Sequence, residues 1–240
     1  MDQLARAELL RRLHLEPALL VLPNAWDVAS ARLLAALPGC RALATTSAAV
    51  ARSLGYEDGE DAPADVMIDA AARIAAAVDV PVTADLEAGY GDPPRTAASA
   101  WAGGLVGINF EDSPGDVLNT IEDQVALIRA IRAAGPELVV NARVDTFLTG
   151  DGSIDDAVER ANAYLGAGAD CAYPILCPAA AIGELAGRID GPINVLLTEH
   201  TPAPAELSAL GVARVTWGGG LASLAYAEAA RVAGLALNGG

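Results

Sequence analysis

Eight times along the chain, a short β-rich run bounded by Pro or Gly gives way to an Ala/Leu-rich stretch with helical spacing. No other feature constrains the fold as strongly. Strands that alternate with helices pair in parallel and need helices laid over the sheet. The β-rich runs cover residues 19–25, 42–47, 81–87, 107–111, 137–147, 170–176, 192–197 and 212–217. The helical stretches cover 28–37, 64–78, 95–102, 120–134, 154–165, 179–188, 204–209 and 221–236. Asp27 and Thr120 stand where helix N-caps belong. Eight such units in 240 residues predict a single (β/α)8 TIM-type barrel over residues 1–240, since that fold typically needs roughly 250. A doubly wound sheet is the alternative, but the first strand–helix turn, Asn24-Ala25-Trp26-Asp27, has no G-x-G-x-x-G.

Charge narrows the function. All 15 cations are Arg, and no Lys occurs. Schiff-base chemistry and a P-loop are therefore excluded. A formal charge of −16 with no cluster of cations excludes a nucleic-acid partner. No run of 18 uncharged apolar residues suggests a membrane span, and Met1-Asp2-Gln3 does not open a signal peptide. Cys40, Cys171 and Cys177 form no C-x-x-C and no zinc spacing with His14 or His200. The expectation is a soluble protein of the reducing cytoplasm.

In a barrel, chemistry sits at the C-terminal ends of the strands. Those ends carry Asn24, Thr45-Thr46-Ser47, Asp85 and Glu87, Asn109, Glu111 and Asp112, Asn141, Arg143 and Asp145, Tyr173, Glu199-His200 and Trp217. The opposite ends are Pro, Ala, Gly or aliphatic. Asp85 and Glu87 are two apart, so on a strand they face one way, and Glu111 on the next strand can join them. Three converging carboxylates with no Lys call for a hard dication, Mg²⁺ or Mn²⁺. The alternative is that one caps a helix and another pairs with Arg143. Arg143 is the one cation expected inside the mouth, and its fork suits a substrate carboxylate or a structural ion pair. The turn Thr46-Ser47-Ala48 offers hydroxyl and N–H groups for an anion, or is a plain polar turn. Asp58, Tyr90 and His200 lie on loops over the same mouth and are candidates for acid–base work. A lone loop His is more often merely exposed.

The segments Leu22-Pro23-Asn24-Ala25-Trp26-Asp27, Thr45-Thr46-Ser47, Leu54-Gly55-Tyr56-Glu57-Asp58, Asp85-Leu86-Glu87-Ala88-Gly89-Tyr90-Gly91, Gly107-Ile108-Asn109-Phe110-Glu111-Asp112 and Asn141-Ala142-Arg143-Val144-Asp145 occur in that order. Together they resemble the isocitrate lyase/phosphoenolpyruvate mutase superfamily. The resemblance implies a (β/α)8 barrel, a Mg²⁺ ion, a small 2-oxo or 2-hydroxy carboxylate substrate and a pyruvate-type enolate. It implies that Asp85 ligates the metal directly, and that Glu87, Glu111 and Asp58 hold it largely through water. It also implies that Arg143 and the Thr46-Ser47-Ala48 turn bind the substrate carboxylate, beside Asn109.

The departures matter as much. The superfamily's lyases carry a Lys-(Lys/Arg)-Cys-Gly-His stretch after the fourth strand, where this chain has Ser113-Pro114-Gly115-Asp116-Val117-Leu118-Asn119. The proton-donating Cys is therefore missing. Three readings remain: a Mg²⁺-dependent carbon–carbon lyase of isocitrate or methylisocitrate lyase type, a phosphonopyruvate-type mutase or hydrolase, and a non-catalytic 2-oxo acid binder. A homo-oligomer, dimer or tetramer, is expected, with the helix at 221–236 either packing between subunits or covering its own barrel.

Overall fold

The computed structural model describes residues 1–149 and 152–237, and every strand pairing in it is parallel. After helix α1 (Gln3–Leu13) come β1 (Leu20–Leu22), β2 (Asn24–Ala25), α2 (Val28–Ala35), β3 (Leu43–Thr45), α3 (Ser47–Leu54), α4 (Ala64–Ala76), β4 (Val82–Asp85), α5 (Pro93–Ala102) and β5 (Gly107–Phe110). They continue with α6 (Ile121–Ala134), β6 (Val139–Val144), α7 (Ile154–Gly166), β7 (Cys171–Pro174), α8 (Ile182–Arg188), β8 (Asn194–Leu196), α9 (Pro204–Ala209), β9 (Arg214–Thr216) and α10 (Gly220–Leu237). β1 and β2 are one stave broken at Pro23, whose ring has no N–H for the ladder. That stave joins two sheets, β1–β9–β8 and β2–β3–β4–β5–β6–β7. β7 meets β8 at the Ala172–Ile193 bridge, where the Ala172 N–H donates to the Pro192 carbonyl at 2.9 Å. Eight staves therefore follow one another around a (β/α)8 barrel.

Alternation along each stave divides the core. Leu43, Val82, Ala84, Ile108, Val140, Ala142 and Val195 face the helices. Leu20, Leu22, Ala44 and Val139 face inward, and α1 lays Ala7, Leu10 and Leu13 against that end. Helix α1 thus plugs the N-terminal end. Gly107 makes room for the plug: a Cβ there would stand 2.9 Å from Thr83 Oγ1 and 3.0 Å from Leu10 Cδ2. With that end closed, ligands can reach the interior only from the C-terminal mouth.

The expected elements all form, with shorter strands than the β-rich runs because the run ends continue into loops. Asp27 and Thr120 do cap α2 and α6. Helix α3 was not expected, because eight residues give too few turns for periodicity to show. Helix α10 touches its own barrel through Leu221, Ala222 and Tyr226 and leaves most of its length uncovered. Among its described residues only Ala222 is buried, while Leu224 is 67% and Leu235 54% exposed. Among the described residues, no helix is long and apolar enough to cross a membrane.

Candidate active site at the C-terminal mouth

β4 ends at Asp85, and β3 runs into the first turn of α3 beside it. The Ser47 N–H and hydroxyl both donate to Asp85 Oδ2, at 3.1 and 3.0 Å. A helix N-terminus thus supports a carboxylate on the neighbouring stave. Asp85 Oδ1 is buried and has no partner. Asp58 reaches over the mouth from the loop before α4. Loss of hydration and the nearby Asp85 charge push its carboxyl up, against hydrogen bonding from Ser47.

Beyond Asp85 the backbone turns sharply, with positive φ at Glu87 (51°), Gly89 (93°) and Tyr90 (54°). Gly89 is required there twice over, by its φ and because a Cβ would lie 2.8 Å from Pro93. The turn swings the Glu87 carboxylate toward the 60s loop. It accepts from the Tyr90 hydroxyl at 2.7 Å and from the Glu60 N–H. Burial pushes the Glu87 carboxyl up, and the bond from Tyr90 opposes this.

Arg143 is clamped. Its Nε and Nη2 donate to the two Asp145 oxygens at 2.6 and 2.7 Å, and its Nη1 pairs with Glu111. Asp145 is fixed in turn by the Ser113 hydroxyl and through its own N–H to Asp112 Oδ1 at 2.9 Å. Asp112, fully buried, accepts from the Tyr164 hydroxyl at 2.6 Å and pairs with Arg160. Burial drives the Asp112 carboxyl up to about 6, despite the Tyr164 bond. Burial likewise pushes the Glu111 carboxyl up, against the pull of Arg143. A guanidinium has five N–H groups, so donors remain on the edge of Arg143 that faces the mouth.

A cavity of about 300 Å³ lies above these groups. Thr46, Ser47, Ala48, Asp85, Asn109 and Arg143, the residues expected to meet a substrate, all line it, and so does Asp58. Four expectations need correction. Asp58, Asp85, Glu87 and Glu111 do not converge into a ready cage, and no group of three acidic, His or Cys residues arranged to hold a metal occurs among the described residues. Glu87 is drawn to Tyr90 and Glu60, and Glu111 to Arg143. Tyr90 faces a different cavity, between α4 and α5. His200 lies in an exposed Thr198–Thr201 turn, its ring 3.5 Å from Glu199, and lines a separate cavity with Cys177. Arg143 is also not the only cation inside the staves. Arg214 on β9 is fully buried one layer below, with Nη2 3.3 Å from Asn109 Oδ1 and with Nε and Nη1 unpartnered. Its signal was present: in the run 212–217, Arg214 alternates in phase with Thr216, which faces inward.

One feature of the donor set fits a hard cation. Asp85 offers a buried oxygen that lacks any protein donor, with Asp58 and Glu111 near enough to perturb or be perturbed by its charge. That arrangement suits an ion taken directly by one carboxylate and otherwise through water, the habit of Mg²⁺.

A parallel barrel with a plugged base, and with carboxylates and a clamped guanidinium at its C-terminal mouth, has the layout of a barrel enzyme. Comparison with known proteins makes this specific. The family model for phosphoenolpyruvate phosphomutase matches residues 10–237. An uncharacterised protein of Mycobacterium tuberculosis is 39% identical over 213 residues, covering 86% of this chain and 80% of that one. The 2-methylisocitrate lyase of Halalkalibacterium halodurans is 30% identical, with 82% and 69% covered. Among solved structures, a provisionally assigned lyase/mutase from Burkholderia cenocepacia J2315 superposes with a TM-score of 0.90 at 36% identity, covering 97% of this chain and 88% of that one. The chain belongs to the phosphoenolpyruvate phosphomutase family, within the isocitrate lyase/phosphoenolpyruvate mutase superfamily of carbon–carbon lyases and mutases.

Proposed function

We propose that the chain is a Mg²⁺-dependent lyase that breaks a carbon–carbon bond in a small 2-oxo or 2-hydroxy carboxylate through a pyruvate-type enolate. The observation that carries this reading is the unpartnered Asp85 Oδ1, buried on the wall of a cavity that also presents Arg143. A buried carboxylate oxygen without a donor is costly, and a dication relieves that cost. Asp85 would hold the ion directly, and Asp58, which lines the same cavity, through water. Mn²⁺ would serve in place of Mg²⁺. When bound, the ion supplies electrostatic stabilisation to the enolate oxygen.

The chain's own residues do the remaining work. Arg143, held by Asp145 and Glu111, grips the substrate carboxylate with its outward N–H groups. The first turn of α3 adds helix N–H groups at Ala48, which have no acceptor within the helix. Asn109 orients the carbonyl end from the cavity floor. Asp58 lines the cavity and is exposed at its rim, where it can serve as the base. The exposed apolar face of α10 suits a homo-oligomer, which light scattering on the purified chain would measure.

The test is turnover of 2-oxo and 2-hydroxy carboxylates with Mg²⁺, abolished by chelator and by Asp85→Ala. Undiminished turnover in chelator would refute it. The family model's description favours phosphonopyruvate as a second substrate to try, with P–C cleavage read as released phosphate. Arg143 is the one cation among the described residues lining the cavity, which supplies little for a phosphonyl group in addition to a carboxylate.

A further inference from the structure

The cavity above Asp85 has two unlike halves. The staves from β2 to β6 contribute its carboxylates, amides and Arg143. The staves from β7 to β9 and their loops contribute Ile175, Leu196 and Trp217 beside Tyr173 and Thr216. Leu196 stands two residues after the buried Asn194 on β8, so both share the inward face, and Leu196 is what β8 presents to the cavity. A second cavity, of about 620 Å³, abuts the first, and the two share Leu196, Trp217 and Gly220. It continues past Leu197 to Leu224 and Ala227 on α10, and Glu199 is the one charged residue among its described lining.

A second carboxylate on the substrate would meet no guanidinium on that side. It would meet aliphatic carbon and the like charge of Glu199, and no partner would replace the water it gives up. An alkyl group would gain by burial there. A lyase that forms a pyruvate-type enolate from a substrate with one carboxylate must use the 2-oxo group as its electron sink. The broken bond is then C3–C4, and the hydroxyl sits on C4.

Resting on the lyase reading above, we propose that the substrate is a 4-hydroxy-2-oxo monocarboxylate, R–CH(OH)–CH2–CO–COO⁻, whose alkyl branch R lies on Leu196 and Trp217 and points toward Leu224. A base takes the C4 hydroxyl proton, and the freed pair forms the aldehyde carbonyl. The C3–C4 pair moves to C3 and onto the C2 oxygen. The enolate then takes a proton at C3. The products, R–CHO and pyruvate, contain every atom of the substrate, and no oxidant, reductant or water is consumed.

The test measures pyruvate by chromatography from the Mg²⁺-loaded full chain. The panel is the series with R as methyl, propyl and pentyl, plus 4-hydroxy-2-oxoglutarate and 2-methylisocitrate, all of which would yield pyruvate. The expected result is a kcat/KM that rises roughly fourfold per methylene up to propyl, with both polycarboxylates at least about tenfold poorer. Better turnover of either polycarboxylate would overturn this inference and leave the lyase reading standing. No pyruvate from any member would overturn the lyase reading and this inference with it. Calorimetry gives a readout independent of turnover: 2-oxooctanoate should bind more tightly than 2-oxobutanoate. Leu224→Asp, at a site 67% exposed and so not critical for folding, should remove that advantage. Equal binding of the two acids by the unsubstituted chain, with Leu224→Asp dissociating an oligomer, would mean that a second copy fills the groove, and would overturn the proposal.

Discussion

Lowering the pH should destabilise the chain through one buried imidazole. His14 caps the C-terminus of α1 and is 3% exposed. Its Nδ1 lies 2.8 Å from the Leu10 carbonyl, which can only accept, so Nδ1 carries the proton of the neutral ring. Nε2 is buried without a partner. Protonating it would create a cation with no acceptor, in the field of Arg214. Burial first and Arg214 second push the His14 pKa from 6.5 down to about 4. Between those values the unfolded chain binds a proton that the folded chain refuses. Stability is therefore intact above pH 6.5, falls as the pH drops toward 4, and levels off below. A 2.5-unit difference at 1.36 kcal/mol per unit totals about 3 kcal/mol, of which about 2 kcal/mol is lost between pH 7.5 and 5. Other buried groups titrate as well, Glu111 and Asp112 in the opposite sense. The assay therefore compares urea unfolding of the unsubstituted chain and His14→Leu across this range. The stability of the unsubstituted chain relative to the variant should fall by about 2 kcal/mol from pH 7.5 to 5. Parallel profiles would refute the reasoning.

Three further outcomes follow from the site and its supports. Arg143→Lys keeps the charge but loses the fork held by Asp145, and should lower kcat/KM by about 10²-fold or more in steady-state assays with unchanged secondary structure by circular dichroism. Gly89→Ala should cost about 1–3 kcal/mol in urea unfolding, because the new methyl meets Pro93 at 2.8 Å and φ is 93°. Tyr164→Phe strips the buried Asp112 carboxylate of a 2.6 Å donor and should cost about 1.5–3 kcal/mol, with a matching loss in kcat as the Asp145–Arg143 clamp loosens.

The sequence carried the barrel and most of the residues that line the mouth cavity because both depend on alternation. Eight strand–helix units define the parallel ring, and polar residues at strand ends fall at the mouth. Asp85, Asn109 and Arg143 were legible for that reason: each lies within a strand, where the two-residue period holds. The reading failed where the strand had already ended. β4 stops at Asp85, so the two-residue rule did not apply to Glu87, and a φ of 51° turned its carboxylate toward Tyr90. β5 stops at Phe110, which left Glu111 free to meet Arg143. His200 and Tyr90 lie on loops whose direction no periodicity encodes. Arg214 was missed for another reason. A charged residue in an apolar run suggests an outward face, yet its phase with Thr216 turns it inward to a layer of amides.

The proposed function requires Asp85 to anchor a divalent cation at the barrel mouth. Mn²⁺ binding followed by electron paramagnetic resonance, on the purified chain and on Asp85→Ala, tests it most directly. One bound ion in the unsubstituted chain, displaced by Mg²⁺ and weakened at least about 100-fold in the variant, is the predicted result. Equal Mn²⁺ affinity in a folded Asp85→Ala chain would contradict it.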